Sequence, residues 1–158
     1  MRRRCMAKHK VLTFIVSCAF IGYIPPLPGT YASLSGCFLI YCAYLVLGNI
    51  PFIAWFLFAI GFILFSILCI HLLTYEGKDP RYIVIDELAG IFVTMMGHRV
   101  TFFNLFAGFL LFRFFDIIKP PPIRNIERLA GAYGIVGDDV VAGICANLGL
   151  IIAGIWIG

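Results

Sequence analysis

The feature that most limits how this chain can fold is a long uncharged stretch. From Pro51 to about Leu73 there is no Asp, Glu, Lys or Arg, and a stretch of this length can cross a bilayer as one helix. Shorter apolar runs recur on either side of it: Val11 to Ile24, about Leu34 to Leu47, about Ile83 to Met96, Val100 to Ile118, and Asp138 to Gly158. Of the 158 residues, 62% are hydrophobic and 13% charged, against about 45–50% and about 25% in soluble domains. The sequence therefore predicts one all-α, polytopic integral membrane helical bundle over residues 1–158.

The placement of Lys and Arg predicts how the chain is oriented in the membrane. Five of the twelve basic residues lie in a short tail, residues 1–10, which we expect to be cytoplasmic. The run from Val11 to Ile24 is short for a span and ends at prolines, so we expect a short N-terminal helix that is re-entrant or interfacial. About five spans remain, and the basic loops then face the cytoplasm. No basic surface interleaved with aromatic residues suggests nucleic-acid binding.

This arrangement gathers charged side chains at the cytoplasmic ends of three predicted helices. The seven residues concerned are Asp86, Glu87, Arg113, Asp116, Lys119, Asp138 and Asp139. Ionisable residues in membrane segments are costly and usually functional. Taken singly, each could be explained by a helix dipole or a local ion pair. Together, five carboxylates without a nearby thiolate or imidazole predict a hard cation such as Mg²⁺.

Other residues near these carboxylates are suited to an anionic ligand. Arg113 and Lys119 lie three residues on either side of Asp116, so they can share one helix face and bind phosphate. Pro28-Gly29-Thr30 and Ser33 precede an apolar run and offer hydroxyl and backbone N–H groups. These features predict a phosphorylated substrate whose apolar part lies in the bilayer.

Known phosphatase nucleophiles are missing from the sequence. No cysteine is followed six positions later by arginine, no Asp-x-Asp pair occurs, and the histidine motifs of other lipid phosphatases are absent. Metal-assisted attack on phosphorus by water or by a carboxylate remains. One alternative is a small cation carrier or channel, against which the clustering at one face argues. Another is a headgroup transferase of the CDP-alcohol type, whose Asp-Gly-x-x-Ala-Arg signature is not present.

Four segments carry a resemblance to a known family. They are Pro28-Gly29-Thr30 with Ser33, Ile85-Asp86-Glu87-Leu88-Ala89-Gly90, the block from Phe112 to Ile123 that contains Arg113, Asp116, Lys119 and three prolines, and Asp138-Asp139-Val140-Val141-Ala142-Gly143. In order and spacing they resemble the phosphatidylglycerophosphatase A family. The departures, at Ala32, Ala132 and Gly137, concern the geometry of loops.

The resemblance implies a Mg²⁺-dependent enzyme of the bacterial inner membrane, with its active site on the cytoplasmic face. Such an enzyme converts phosphatidylglycerophosphate in the bilayer to phosphatidylglycerol and phosphate. The implied catalytic residues are Asp86, Glu87, Asp116, Asp138 and Asp139. We expect Asp86, Asp116, Asp138 and Asp139 to hold the metal and Glu87 to support it or act as a base. We expect Thr30, Ser33, Arg113 and Lys119 to bind the phosphate. The sequence leaves the oligomeric state open.

Overall fold

The structure, a computed structural model, describes residues 2–73 and 80–157, and these ranges contain helices and no strand. The helices are α1 (Arg2–Val16), a 3₁₀ helix (Ile21–Tyr23), α2 (Pro28–Leu47), α3 (Phe52–Leu72), α4 (Ile85–Thr94), α5 (Phe102–Ile118), α6 (Ile123–Ile126) and α7 (Ala132–Ile157). The predicted all-α class is confirmed.

Three of the described helices are long and apolar enough to cross a membrane. They are α2, α3 and the part of α7 from Ala132 to Gly154. Helix α5 has 17 residues and α4 only 10, so α4 is about 15 Å long, half the thickness of a bilayer's hydrocarbon core. The chain is therefore a membrane protein with at least three helices of spanning length, and α4 is too short to cross by itself.

Helix α4 lies at the centre of the bundle. It packs against α2, α3, α5 and α7, and every one of its residues except Glu87 is buried. Its closest neighbour is α7, because glycines on both helices let the backbones approach. A Cβ atom added to Gly143 would lie 2.5 Å from the carbonyl oxygen of Gly90, so neither position has room for a side chain at the crossing.

The C-terminal end of α4 lies inside the bundle, and side chains of other helices bind its carbonyl oxygens. The indole Nε1 of Trp55 donates to the carbonyl oxygen of Phe92 at 2.9 Å. The amide Nδ2 of Asn147 donates to the carbonyl oxygens of Val93, Thr94 and Met96. Within a membrane, little water is present to bind such groups, so the protein itself must satisfy them. These contacts explain how α4 can end where it does.

The turns at the two ends of the bundle define its topology. Residues of the α2–α3 turn and of the α4–α5 turn, including Asn49 and His98, line one small cavity of about 180 Å³. These two turns therefore lie at the same end. The beginnings of α2 and α4 and the end of α5 lie at the other end, where the charged residues are.

The run from Val11 to Ile24 is not one continuous short helix. Helix α1 ends at Val16, and Cys18, Ala19 and Phe20 adopt left-handed backbone conformations, with φ of 48°, 56° and 69°. The 3₁₀ helix follows. The apolar end of α1 packs against α3 and α7 at the charged end of the bundle, with Val16 fully buried. The turn at residues 18–20 divides the segment into two short helices, a break that the apolar pattern does not predict. That the segment is re-entrant or interfacial stays a prediction.

Two helices begin earlier than the apolar runs indicate. Helix α2 begins at Pro28 and not at Leu34, because a proline is well suited to the first position of a helix. Helix α7 begins at Ala132 and not at Asp138. Gly134 permits this, since a Cβ atom there would lie 2.2 Å from the carbonyl oxygen of Leu129. The aspartate pair is therefore inside α7, not at its start.

Candidate functional site

A cavity of about 410 Å³ opens at the charged end of the bundle. All seven ionisable residues singled out in the sequence line it: Asp86, Glu87, Arg113, Asp116, Lys119, Asp138 and Asp139. The other lining residues are residues 26–29, Arg81, Ile83 and Ile135. The structure thus brings together side chains from the beginning of α4, the end of α5 and the second turn of α7.

Three carboxylates form the tightest group in this cavity. Oxygen atoms of Asp86, Glu87 and Asp139 all lie within 4.8 Å of one another. Asp86 and Glu87 belong to the first turn of α4, and Asp139 reaches them because α7 crosses α4 closely. Gly90 makes the approach possible, since a Cβ atom there would lie 2.9 Å from the carbonyl oxygen of Asp139.

This group fits a hard divalent cation. Asp86 and Asp139 are buried, and the Oε2 atom of Glu87 is buried without a hydrogen-bond partner among the described residues. The buried Asp86 and Asp139 and the partly buried Glu87 cannot all be ionised side by side without a compensating positive charge. An all-oxygen donor set is the kind that Mg²⁺ prefers. The residues present therefore fit the metal that the sequence predicts.

The two other aspartates of the cavity are each held by a cation. Arg113 Nη1 lies 2.5 Å from Asp116 Oδ2, one helical turn along α5. Lys119 Nζ lies 2.6 Å from Asp138 Oδ2 and 3.1 Å from Glu127 Oε1, so it joins the end of α5 to α7. Asp116 and Asp138 were predicted as metal ligands. Each of them lies next to a cation, and Asp116 also lies beside Asp139; their role as metal ligands stays a prediction.

The environment of Lys119 keeps this side chain charged. The residue caps the end of α5 in a left-handed conformation, with φ of 46°. Burial lowers the pKa of Lys119, but hydrogen bonds and charge interactions with Asp138 and Glu127 outweigh burial, so the pKa lies above its ordinary value. Arg113 also has a donor group that is available to a ligand, because its buried Nε has no hydrogen-bond partner among the described residues. Both cations can therefore contact an anion in the cavity.

Gly29 lies against both the carboxylate of Glu87 and the guanidinium of Arg113. A Cβ atom at this position would lie 2.2 Å from Glu87 Oε1 and 3.1 Å from Arg113 Nη1. The sequence predicts that hydroxyl and N–H groups of the motif at residues 28–33 bind the phosphate. The backbone of Gly29 is what reaches the cavity, and the side chains of Thr30 and Ser33 do not line it. Ser33 Oγ instead donates to the carbonyl oxygen of Gly29 at 2.8 Å.

Sequence reasoning missed Arg81 as a residue of the cavity. It lies in the turn just before α4, and its side chain is exposed and lines the cavity. A signal for it existed, because the positive-inside argument already places the loop that ends at Arg81 on the same side as the carboxylates.

The fold and the cavity define a membrane-embedded helical bundle with an acidic, cation-lined site at one end. Comparison with known proteins identifies the family to which this bundle belongs. Residues 14–154 match the family model described as phosphatidylglycerophosphatase A, and the chain belongs to this family.

Named relatives agree with the family match. A phosphatidylglycerophosphatase A of Haemophilus influenzae is 39% identical over 128 residues, which cover 79% of this chain and 77% of that protein. The phosphatidylglycerophosphatase A of Escherichia coli is 34% identical over 130 residues, 78% of this chain and 72% of the relative. A Bacteroides thetaiotaomicron protein with a provisional name as a phosphatidylinositol-3-phosphatase is 34% identical over 84 residues, about half of each chain. No solved structure matches the chain.

Proposed function

We propose that the protein hydrolyses phosphatidylglycerophosphate to phosphatidylglycerol and inorganic phosphate in the cavity at the charged end of the bundle. The names of the two relatives matched over most of their length support this substrate. The observation that carries the proposal is that one cavity contains both a group of three carboxylates and two cationic side chains that can contact an anion. A phosphomonoester needs both parts, because its hydrolysis depends chiefly on positioning and on neutralising negative charge.

Asp86, Glu87 and Asp139 would hold Mg²⁺, since their oxygens converge and Glu87 keeps one oxygen without a hydrogen bond. When bound, the metal would neutralise charge on the phosphate oxygens and favour attack on phosphorus. The three residues come from two helices, so the metal would also stabilise the crossing of α4 and α7. Asp86 and Glu87 are fixed to the beginning of α4, where the positive end of the helix dipole limits repulsion between them.

Arg113 and Lys119 would bind the terminal phosphate of the lipid. The Nε atom of Arg113 is available to donate a hydrogen bond, and Nη1 remains oriented by Asp116. Lys119 is oriented by Asp138. In this proposal the two aspartates act by positioning cations. Removing Asp116 leaves the partly buried Arg113 without its anionic partner, and removing Asp138 leaves Lys119 with only the more exposed Glu127.

We further propose that five segments of the chain cross the membrane, with the cavity on the cytoplasmic side: α2, α3, α5, α7, and α4 together with the turn that follows it. The turns after α2 and after α4 share one cavity at the far end of the bundle, which supports alternating crossings. Helix α1 carries the basic residues and ends against the charged end of the bundle. Basic segments remain in the cytoplasm, so the charged end would face the same compartment.

Phosphate release from phosphatidylglycerophosphate in detergent micelles tests this function. We expect the purified protein to release phosphate in the presence of Mg²⁺, and we expect this release to stop when a chelator is added. Asp86→Asn and Asp139→Asn should lose about a hundredfold or more in rate and require more Mg²⁺. Asp116→Asn and Asp138→Asn should lose rate at an unchanged Mg²⁺ requirement. Glu127→Gln, a change to the half-exposed second partner of Lys119, is the matched control.

Three outcomes would contradict the proposal. Full activity in all four aspartate variants would remove the assigned site. Faster hydrolysis of phosphatidylinositol 3-phosphate than of phosphatidylglycerophosphate would replace the substrate. Ion flux into liposomes that carry the pure protein, without any release of phosphate, would favour a carrier or channel instead of an enzyme.

A further inference from the structure

We propose that Arg81 binds the phosphodiester group of the lipid substrate and thereby selects lipids that carry two phosphates. The proposal rests on the proposed function, because it assigns a second contact to the same substrate. Arg81 belongs to no motif discussed above. Its position in the cavity, its charge state and the chemistry of the lipid carry the argument.

Arg81 lies at the mouth of the cavity and the carboxylate group lies at its base. Asp86, Asp138 and Asp139 are all buried, with 7% or less of each residue exposed. Arg81 lines the same cavity but is exposed. The cavity therefore runs from an acidic, metal-compatible base to a mouth that carries a positive charge.

Arg81 differs from the other two cations of the cavity in having no anionic partner among residues 9–73 and 80–154. Arg113 is paired with Asp116, and Lys119 is paired with Asp138 and Glu127. Those pairs leave little net positive charge for a second anionic group. Among the described side chains of this cavity, Arg81 is the cation that no carboxylate neutralises. Its positive charge can therefore act fully on a ligand.

The turn that carries Arg81 is held from both sides. The amide of Ile83 donates to the carbonyl oxygen of Pro80 at 2.9 Å, which closes the turn. The ring of Tyr82 stacks on that of Tyr23, with centroids 5.4 Å apart and an angle of 5° between the planes. Gly22 touches the backbone of Tyr82 so closely that a Cβ atom would lie 2.2 Å from its carbonyl oxygen. A backbone fixed in this way reduces the entropy lost when the arginine binds a ligand.

The substrate has a group that matches this position. Phosphatidylglycerophosphate carries a terminal phosphomonoester, and a glycerol unit joins it to a phosphodiester that leads to the acyl chains. If the phosphomonoester lies at the base, the phosphodiester follows towards the mouth and the lipid surface. A guanidinium group can bind two phosphate oxygens at once. Since the phosphodiester does not change during hydrolysis, this contact should strengthen binding without accelerating the chemical step.

Steady-state kinetics with the full chain in detergent micelles test the role of Arg81. We expect Arg81→Gln to raise KM for phosphatidylglycerophosphate about tenfold, equivalent to about 1.4 kcal/mol, and to leave kcat within about twofold. The KM of Arg81→Lys should lie between those of the wild type and of Arg81→Gln, because lysine keeps the charge but cannot bind two phosphate oxygens in the bidentate geometry of arginine. Arg124→Gln is the matched control: Arg124 is exposed, lies on α6 beside the beginning of α7, and does not line the cavity. It should leave KM unchanged.

Each other result has a defined meaning. An unchanged KM in Arg81→Gln overturns the proposal. A fall in kcat at constant KM also overturns it, because Arg81 would then act on the reacting phosphate. An equal rise in KM for Arg124→Gln would show general attraction of the micelle and not a specific contact. If the wild type releases no phosphate from this lipid, the proposed function is wrong; if it is active and only Arg81→Gln behaves as wild type, the role of Arg81 alone is wrong.

Discussion

The side-chain amide of Asn147, on α7, lies 2.8 Å from the carbonyl oxygen of Met96, just beyond the end of α4. The same nitrogen donates to the carbonyl oxygens of Val93 and Thr94 at 3.2 and 2.9 Å. One asparagine therefore binds three carbonyl oxygens at and just beyond the end of α4, where the helix itself supplies few donors. The contact joins the central helix to the helix that supplies Asp139.

Replacing this amide should destabilise the protein more than an equivalent change elsewhere. Asn147→Leu keeps the approximate volume but leaves carbonyl oxygens without donors, so we expect a loss of about 1–3 kcal/mol. Asn104→Leu is the control, because Asn104 is part of an exposed contact and donates to the carbonyl oxygen of Arg99 at 2.9 Å. Thermal unfolding in detergent measures both. Equal shifts in Tm would contradict the special role of Asn147.

The crossing of α4 and α7 depends on the absence of a side chain at Gly143. In Gly143→Ala the new methyl group would meet the carbonyl oxygen of Gly90 at 2.5 Å, so the helices must separate. We expect lower stability and a higher Mg²⁺ concentration for half-maximal activity, because Asp139 moves away from Asp86. Gly154→Ala, on the same helix, meets no atom within 4 Å and should behave as wild type. A normal Mg²⁺ requirement in Gly143→Ala would show that the crossing does not position the carboxylates.

Activity should also be sensitive to a methyl group at Gly29. Gly29→Ala would place carbon 2.2 Å from Glu87 Oε1, so the carboxylate or α2 has to shift. We expect kcat to fall by at least about tenfold, as displacements near 1 Å at an active site can cost more. Gly61→Ala, in the spanning helix α3, has no neighbour within 4 Å and serves as the comparison. Retained activity in Gly29→Ala would mean that Glu87 does not need its present position.

Cys18 should react slowly with alkylating reagents in the folded protein. Burial raises the pKa of the Cys18 thiol from 9.0 to about 12, and the nearby charge of Glu87 adds to the effect. At pH 8 the thiolate fraction is then lower by about a thousandfold, and the thiolate is the species that reacts. Mass spectrometry after iodoacetamide treatment can follow this residue before and after unfolding in SDS. Similar rates in the two states would show that the turn at Cys18 is open to solvent.

Much of the architecture was predictable because the membrane imposes simple rules. The uncharged stretch after Pro51 became α3 almost residue for residue, and the three prolines after Lys119 follow the end of α5. The clustering of Asp86, Asp116 and Asp139 in one cavity followed from counting spans and placing charges at their ends. These inferences needed only helix length and the cost of charge in an apolar medium.

The features that escaped prediction depend on contacts between distant parts of the chain. The end of α4 at Thr94 relies on Asn147, more than fifty residues away. The left-handed turn at Cys18 uses residues that rarely adopt positive φ. The grouping of Glu87 with Asp139, and of Asp138 with Lys119, depends on how α7 rotates against its neighbours. The apolar pattern of α7 does not specify that rotation.

The covered position of α4 has a consequence for how the protein matures. A ten-residue segment with two acidic residues in its first turn is a poor candidate for insertion into a bilayer by itself. Its carbonyl oxygens need Trp55, made earlier by the ribosome, and Asn147, made later. A nascent chain without α7 therefore contains the acidic residues of α4. It lacks Asn147, which binds the carbonyl oxygens at the end of α4, and it lacks Asp139. The complete carboxylate group therefore forms only after α7 has been synthesised and has packed against α4.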